Sequence, residues 1–327
     1  MTGFDMKLSN FEGGFMQGVL IRGMPIQVTH PGKVFWVGNS TAAATVPNRK
    51  TASDSNKGTF LAPFSTVNYA FSQCVASRGD IVMVLPGHAE TFSAADGFDM
   101  NVAGVAMVGL GQGSLRPTFT FDTATTADCN ISAANCAIYN CVFSANFADI
   151  VRCVQITAKN AALVNCEWTD TAVNMNWLSP IKATSTTDNN ADGLWVEGCK
   201  WYSPDAAGLE FIEINATIQG FVCLRNYMVH EGTTNATLIF NATGKNFLGA
   251  DIRWNHISTK ITAGNLFIES DSTASTGIAA HNKFGHADTT GTHDNGLTGM
   301  GFRLFDNLST STASVSGFLL PAADSDA

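Results

Sequence analysis

The stretch that decides the fold is residues 131–143, which read Ile131-Ser-Ala-Ala-Asn-Cys-Ala-Ile-Tyr-Asn-Cys-Val-Phe143. Twenty-five residues later the chain reads Ile156-Thr-Ala-Lys-Asn-Ala-Ala-Leu-Val-Asn-Cys-Glu-Trp168. Six of the thirteen aligned positions are identical: Ile131/Ile156, Ala133/Ala158, Asn135/Asn160, Ala137/Ala162, Asn140/Asn165 and Cys141/Cys166. An internal repeat at this spacing indicates a chain built from stacked units.

The repeat continues as a column with the pattern apolar-x-x-(Cys or Asn)-x-apolar. Its members are Cys141, Cys166, Cys199, Asn226, Asn255, Asn282 and Asn307, at steps of 25, 33, 27, 29, 27 and 25 residues. Each step fits one coil of a parallel β-helix, whose strands stack about 4.8 Å apart. Stacked asparagines can then bond from coil to coil. Leucine-rich horseshoes would need more leucine, and propeller blades would need longer units.

We therefore predict an all-β chain, a right-handed parallel β-helix over residues 79–310 with coils of about 25–33 residues. Residues 61–78 are predicted to form a helix that caps the first coil, since Phe64, Val67, Phe71, Cys74 and Val75 share one helical stripe and Ser65 or Thr66 can cap its start. Residues 1–60 are interpreted as an N-terminal arm or anchor, and residues 311–327 as a C-terminal tail.

Composition excludes several partners. The net charge is -9, with 14% charged residues, which argues against binding to nucleic acid or to an anionic membrane. No stretch is long and apolar enough for membrane insertion, and the start lacks a secretion signal of the usual kind. The eight cysteines contain no CxxC pair, so we expect buried, reduced thiols and no zinc site.

The residue patterns predict no catalytic, cofactor or metal residues, and hence a chain that is not an enzyme. The sequence lacks the acidic and Arg or Lys strings of polygalacturonase-like and pectate-lyase-like sites. If the chain cleaves glycans, the carboxylates to test first are Asp170, Asp188, Asp192 and Glu213, which we otherwise interpret as exposed loop acids. His281, His286 and His293, near Asp288 and Asp294, have no spacing that fixes a metal geometry.

Aromatic residues crowd the region from 168 to 202. They are Trp168, Trp177, Trp195, Trp201 and Tyr202. Two interpretations are open: these rings stack inside the core, or they line a sugar-binding groove on the long-loop face around residues 170–215. Core stacking is the more common use of such rings in a β-helix.

Five segments resemble β-helix proteins encoded by tailed bacteriophages and prophages. These are residues 18–25 (GVLIRGMP), 29–37 (THPGKVFWV), 77–82 (SRGDIV), 109–117 (GLGQGSLRP) and 317–324 (GFLLPAAD). The resemblance runs nearly end to end and carries no catalytic residues. It implies a homotrimeric virion protein, assembled in the host cytoplasm, that is a capsid decoration or cement protein or a head fibre. Such a protein would contact the major capsid protein or other virion proteins through the arm. The alternative is a tail-associated receptor-binding spike that recognises host surface glycans.

Overall fold

The structure is a computed structural model, and it describes residues 20–21, 24–25, 32–39, 49–204, 207–231, 237–260, 268–269, 274–286, 301–311 and 314–320. Most of the predicted arm, residues 261–267 and 287–300, and the end of the tail lie outside these ranges. Among the described residues, no helix is long and apolar enough to cross a membrane.

Three parallel sheets run along the chain, so the predicted all-β parallel β-helix is confirmed. In the described residues, sheet 1 consists of Val34–Val37, Ile81–Val84, Ala106–Gly109, Ala137–Tyr139, Ala162–Val164, Trp195–Glu197, Val222–Leu224, Ala250–Arg253, Thr276–Ala280 and Gly301–Phe305. Sheet 2 consists of Ala89–Phe92, Thr118–Phe121, Val142–Ala145, Glu167–Asp170, Lys200–Ser203, Tyr227–His230, His256–Thr259, Lys283–His286, Asn307–Ser311 and Ser314–Leu320. Sheet 3 consists of Cys129–Ile131, Ile150–Ile156, Trp177–Ala183, Glu210–Ile214, Thr237–Asn241 and Ile268–Glu269.

Three smaller pairings complete the strands that the structure describes. Ile218–Gln219 pairs in parallel with Phe247–Leu248. Leu20–Ile21 pairs with Met24–Pro25, and Asn307–Ser311 pairs with Ser314–Leu320, both antiparallel. The final sheet 2 strand therefore runs against the others, so part of the predicted tail adds a strand to that sheet.

The column of Cys and Asn residues points inward where sheet 1 turns into sheet 2. Residues that follow it pair in register on successive coils, as Val142 with Glu167 and Glu167 with Lys200. From Asn226 onward each amide oxygen accepts the backbone N–H of the column residue one coil earlier, at 2.9–3.1 Å. Each Asn of this ladder also donates its Nδ2 to a backbone carbonyl at 2.9–3.0 Å. The predicted ladder is thus confirmed, and it satisfies backbone groups that burial would otherwise leave unpaired.

One residue before this inward column, the backbone turns the corner between sheets 1 and 2. The turning residue has a positive φ on seven successive coils, and we call this set the edge column: Asn140 (56°), Asn165 (54°), Gly198 (63°), Arg225 (55°), Trp254 (57°), His281 (56°) and Asp306 (46°). Gly and Asn adopt this conformation readily, whereas Arg and Trp seldom do. The side chains of the edge column point away from the core, because the inward position belongs to the next residue.

Aromatic rings form a continuous stack in the core. Phe119 stacks on Phe143 with ring centroids 5.8 Å apart, and Phe143 stacks on Trp168 at 5.2 Å. Trp201 stacks on Phe211 at 5.8 Å, and Trp177 packs edge-on to Phe121 at 5.1 Å. Trp168, Trp177 and Trp201 are all fully buried. For these three tryptophans the core interpretation is therefore correct.

The capping segment contains a helix at Val67–Ser72, shorter than the predicted stripe. Thr66 is its N-cap and accepts a hydrogen bond from the backbone N–H of Tyr69 at 3.2 Å. Val67 and Phe71 are buried in the main core, and Phe71 lies 5.7 Å from Phe98 between ring centroids. The predicted stripe includes Val75, but Val75 is exposed because the helix ends at Ser72, before this residue.

The arm also differs from its prediction at one place. Val34–Val37 lies within the predicted arm but pairs in parallel with Ile81–Val84 as the first strand of sheet 1. Four consecutive apolar residues form this strand because it is covered on both faces: Phe35 and Val37 face the main core, and Trp36 lies in a second cluster with Ile81 and Met83. The β-helix thus begins earlier in the chain than the sequence repeat indicates.

All eight cysteines are free and buried. Burial raises the pKa of the Cys74 and Cys223 thiols to about 12. Thiols with such pKa values are almost wholly protonated at neutral pH and act as small apolar side chains.

Candidate functional site

The outer face of sheet 1 carries a groove of about 530 Å³, which we call the Trp195 groove. It is lined by Tyr139, Asn160, Ala161, Ala162, Val164, Gly193, Trp195 and Glu197. Trp195 occupies the outward register position held by Ala137 and Ala162 on the two preceding coils. Because those neighbours are small, one side of the indole stands clear of the sheet, and the residue is 39% exposed. An exposed ring above an apolar floor is a stacking platform for a flat ligand.

Glu197 fixes the orientation of this platform. Its Oε2 accepts a hydrogen bond from Trp195 Nε1 at 2.9 Å, and its Oε1 accepts one from an Arg225 guanidinium nitrogen at 2.5 Å. The indole is therefore held at its polar edge, and the side that stands clear of the sheet stays available. Glu197 also joins the groove to the edge column, since Arg225 belongs to that column.

The floor of the groove depends on a glycine. Gly193 has a φ of +70°, and a Cβ at this position would lie 2.3 Å from Asn160 Oδ1. The Asn160 amide is fixed from the other side, because its Nδ2 donates to Asn135 Oδ1 at 2.9 Å. Asn160 thus presents an ordered amide next to the aromatic platform.

Beyond the groove, the edge column continues with stacked planar groups. The guanidinium of Arg225 lies 5.1 Å from the Trp254 ring centroid, and that of Arg253 lies 4.7 Å from it. On the next coil the His281 ring is nearly parallel to Trp254, at 5.9 Å and 9°. Trp254 is 42% exposed, so this stack also faces solvent.

The four carboxylates named from the sequence do not converge on one site. Asp170, at the end of its sheet 2 strand, accepts a hydrogen bond from Ser203 Oγ at 2.7 Å. Asp188 and Asp192 lie on the turn that leads to Trp195, where they accept the backbone N–H groups of Thr217 and Gln219, both at 2.9 Å. The bond from Thr217 and the Lys245 ammonium hold the pKa of Asp188 below its usual value. These two aspartates therefore fasten adjacent coils.

Glu213 corrects the interpretation of these acids as exposed loop residues. It lies on sheet 3, is only 9% exposed, and pairs with Lys182 Nζ at 2.6 Å. Ser179 Oγ lies 3.0 Å from Glu213 and 2.8 Å from Glu210. A hydroxyl carries one proton, so Ser179 can donate to only one of these carboxylates at a time. No basic residue accompanies these acids in the sequence pattern, but the fold places Lys182 beside Glu213.

The predicted histidine cluster is described only in part. His281 pairs with Asp306, with Nδ1 and Oδ2 3.0 Å apart. The side chain of His286, and all of Asp288, His293 and Asp294, lie outside the described residues. Across the part of the chain that is described, no three His, Cys, Asp or Glu side chains are arranged to hold a metal ion.

The cluster of aromatic residues in the sequence includes Trp195 but does not distinguish it from the buried tryptophans. The signal was in the repeat: four residues before the column residue, Cys141 and Cys166 are preceded by Ala137 and Ala162, and Cys199 by Trp195. The roles of Glu197, Arg225 and Trp254 were missed. Arg and Trp are not residue types that indicate a positive φ, so the sequence does not predict this backbone conformation at Arg225 and Trp254.

No protein-family model and no curated protein matches the chain. Among solved structures, a rhamnogalacturonan lyase is similar to it, with a TM-score of 0.44 and 14% identity over 85% of this chain and 74% of that chain. A likeness at this level concerns the fold alone. That neighbour is nevertheless an enzyme, which contradicts the prediction that the chain is not one, and we withdraw that prediction.

Proposed function

We propose that the chain recognises a glycan through the Trp195 groove. The observation that carries this proposal is an exposed indole that stands over a floor of small residues and is held at its edge by Glu197. One face of a sugar ring is lined by C–H groups that pack against an aromatic face, and its hydroxyls require polar partners at the rim. Asn160 and Glu197 supply such partners.

The sequence resemblance supports a setting for this surface. Phage β-helix proteins of this kind are virion proteins, and we propose that the chain is a homotrimeric receptor-binding spike or capsid decoration protein. In either position the outer face of sheet 1 would meet the polysaccharide of the host surface. The N-terminal arm would then contact the major capsid protein or another virion protein.

Binding of the purified protein to an array of neutral and acidic oligosaccharides tests the proposal. We expect Trp195→Ala to lower affinity at least tenfold, or roughly 1.4 kcal/mol, which one aromatic stack can supply. Tyr69→Ala is the matched control, because Tyr69 is an exposed aromatic residue on the capping helix. Equal binding by wild type and Trp195→Ala, or no binding to any oligosaccharide, would rule the groove out.

Mass spectrometry of the same oligosaccharides after incubation reports whether they are cleaved. Intact oligosaccharides mean recognition alone. Shortened products that disappear with Trp195→Ala would make the groove a site of cleavage as well.

A further inference from the structure

The residue types in the edge column change half-way along the β-helix although the backbone does not. The first three members of the column are Asn140, Asn165 and Gly198, which reach positive φ at little cost. The next coils use Arg225 at 55°, Trp254 at 57° and His281 at 56°. For ordinary L-residues this conformation is disfavoured by about 1 kcal/mol or more. Asn or Gly would adopt this turn with less strain than these three residues do.

Those side chains make a surface and contribute little to the core. Trp254 is 42% exposed, and the side chain of Arg225 is 59% exposed. The contact with Glu197 uses one nitrogen of Arg225, in a group that carries five N–H donors. The remaining donors lie on an exposed side chain that is held over the Trp254 ring.

From this arrangement we propose that Arg225 and Trp254 form a second subsite that takes the carboxylate of an acidic sugar. A planar guanidinium pairs with a carboxylate through two parallel hydrogen bonds. The faces of the Trp254 indole lie against Arg225 and His281, so its exposed edge borders the sugar that bears the carboxylate. This inference rests on the proposed function, because the subsite extends the Trp195 groove. The two are contiguous through Glu197, which contacts both Trp195 and Arg225.

The spacing suits a short oligosaccharide that runs obliquely across sheet 1 toward the edge column. Trp195 is in register with Val222, and Val222 with Asp251, so Trp254 lies two coils beyond Trp195. Two coils correspond to about 10 Å along the axis, and the three residues from Asp251 to Trp254 add about 10 Å along the strand, so the backbones of Trp195 and Trp254 lie roughly 14 Å apart. A ligand that stacks on Trp195 can therefore reach Arg225 and Trp254 with its next units.

The test compares matched ligands. Isothermal titration uses oligogalacturonate and the same oligomer after reduction of its carboxylates to alcohols, with further neutral and uronate pairs from the array. Within each pair of oligomers that shows binding, we expect the acidic oligomer to bind at least tenfold more tightly than the neutral one. Arg225→Gln should abolish that preference, so that the ratio of the affinities for the acidic and the neutral oligomer falls to about one. Lys245→Gln is the matched control, because Lys245 is a cation that pairs with Asp188 and lies outside the edge column. This variant should keep the preference for the acidic oligomer.

The outcomes separate the two proposals. If neutral and acidic members bind equally well, the second subsite is wrong while glycan recognition stands. A preference that survives Arg225→Gln also overturns the subsite. If no member of any pair binds, glycan recognition and the subsite fail together.

Discussion

The ladder of asparagines predicts a large and local loss of stability for Asn255→Ala. Asn255 Oδ1 accepts hydrogen bonds from the backbone N–H and the Nδ2 of Asn226, at 3.0 and 3.1 Å. Its Nδ2 donates to the Cys223 carbonyl and to Asn282 Oδ1, both at 3.0 Å. Each buried bond contributes about 1 kcal/mol net, so the four together amount to roughly 4 kcal/mol. The substitution also leaves the buried backbone N–H of Asn226 without its acceptor, which further lowers the free energy of unfolding.

Chemical denaturation followed by circular dichroism measures this change. Asn101→Ala is the matched control: Asn101 is exposed, and its removal should change the free energy of unfolding by less than about 0.5 kcal/mol. A loss below about 1 kcal/mol for Asn255→Ala would show that the amides only fill space, as the cysteines do on earlier coils. The reasoning on the ladder would then be refuted.

Three further predictions follow from charge, strain and burial. Burial opposes ionisation of Asp80, but hydrogen bonds from Arg78 and the backbone N–H groups of Val75 and Lys33 outweigh it and hold its pKa below the ordinary 3.8. This stabilisation is present above pH 3.8 and is lost as the pH falls through the folded-state pKa. Asp80→Asn should therefore lower the free energy of unfolding by about 3 kcal/mol at neutral pH and by progressively less in acid, as measured by chemical denaturation. An equal loss at neutral and at acidic pH would contradict this prediction. Trp254→Asn should change unfolding free energy by less than about 1 kcal/mol, because relief of positive φ offsets the lost stacking, whereas Trp168→Ala should cost about 4 kcal/mol. A thiol-reactive disulfide reagent should label none of the eight cysteines rapidly in the native protein and all of them in denaturant, and fast native labelling would show that the thiols are accessible.

The sequence predicts the interior of this fold better than its surface. The inward column from Cys141 to Asn307 can be recognised in the sequence, because the residue that faces the core at this position is Cys or Asn on every coil. The outward position is under no such constraint, so Ala162 can be followed by Trp195 one coil later. Lys182 and Glu213 likewise meet in register across neighbouring strands of sheet 3. Their contact escapes a search for strings, because the loops between coils differ in length.

This separation of interior from surface explains how a β-helix can acquire a binding site at little cost in stability. Trp195 neighbours Ala162 and Val222 in register, and neither neighbour packs beneath it in the core. The core position of the same strand is Val196, which lies over Leu163 and under Cys223 whatever residue faces outward. Replacement of an outward residue therefore changes the outer surface of one coil and leaves the stacking of the coils intact. The edge column extends this separation to the backbone, since Arg225 and Trp254 adopt a disfavoured φ there while their side chains face solvent.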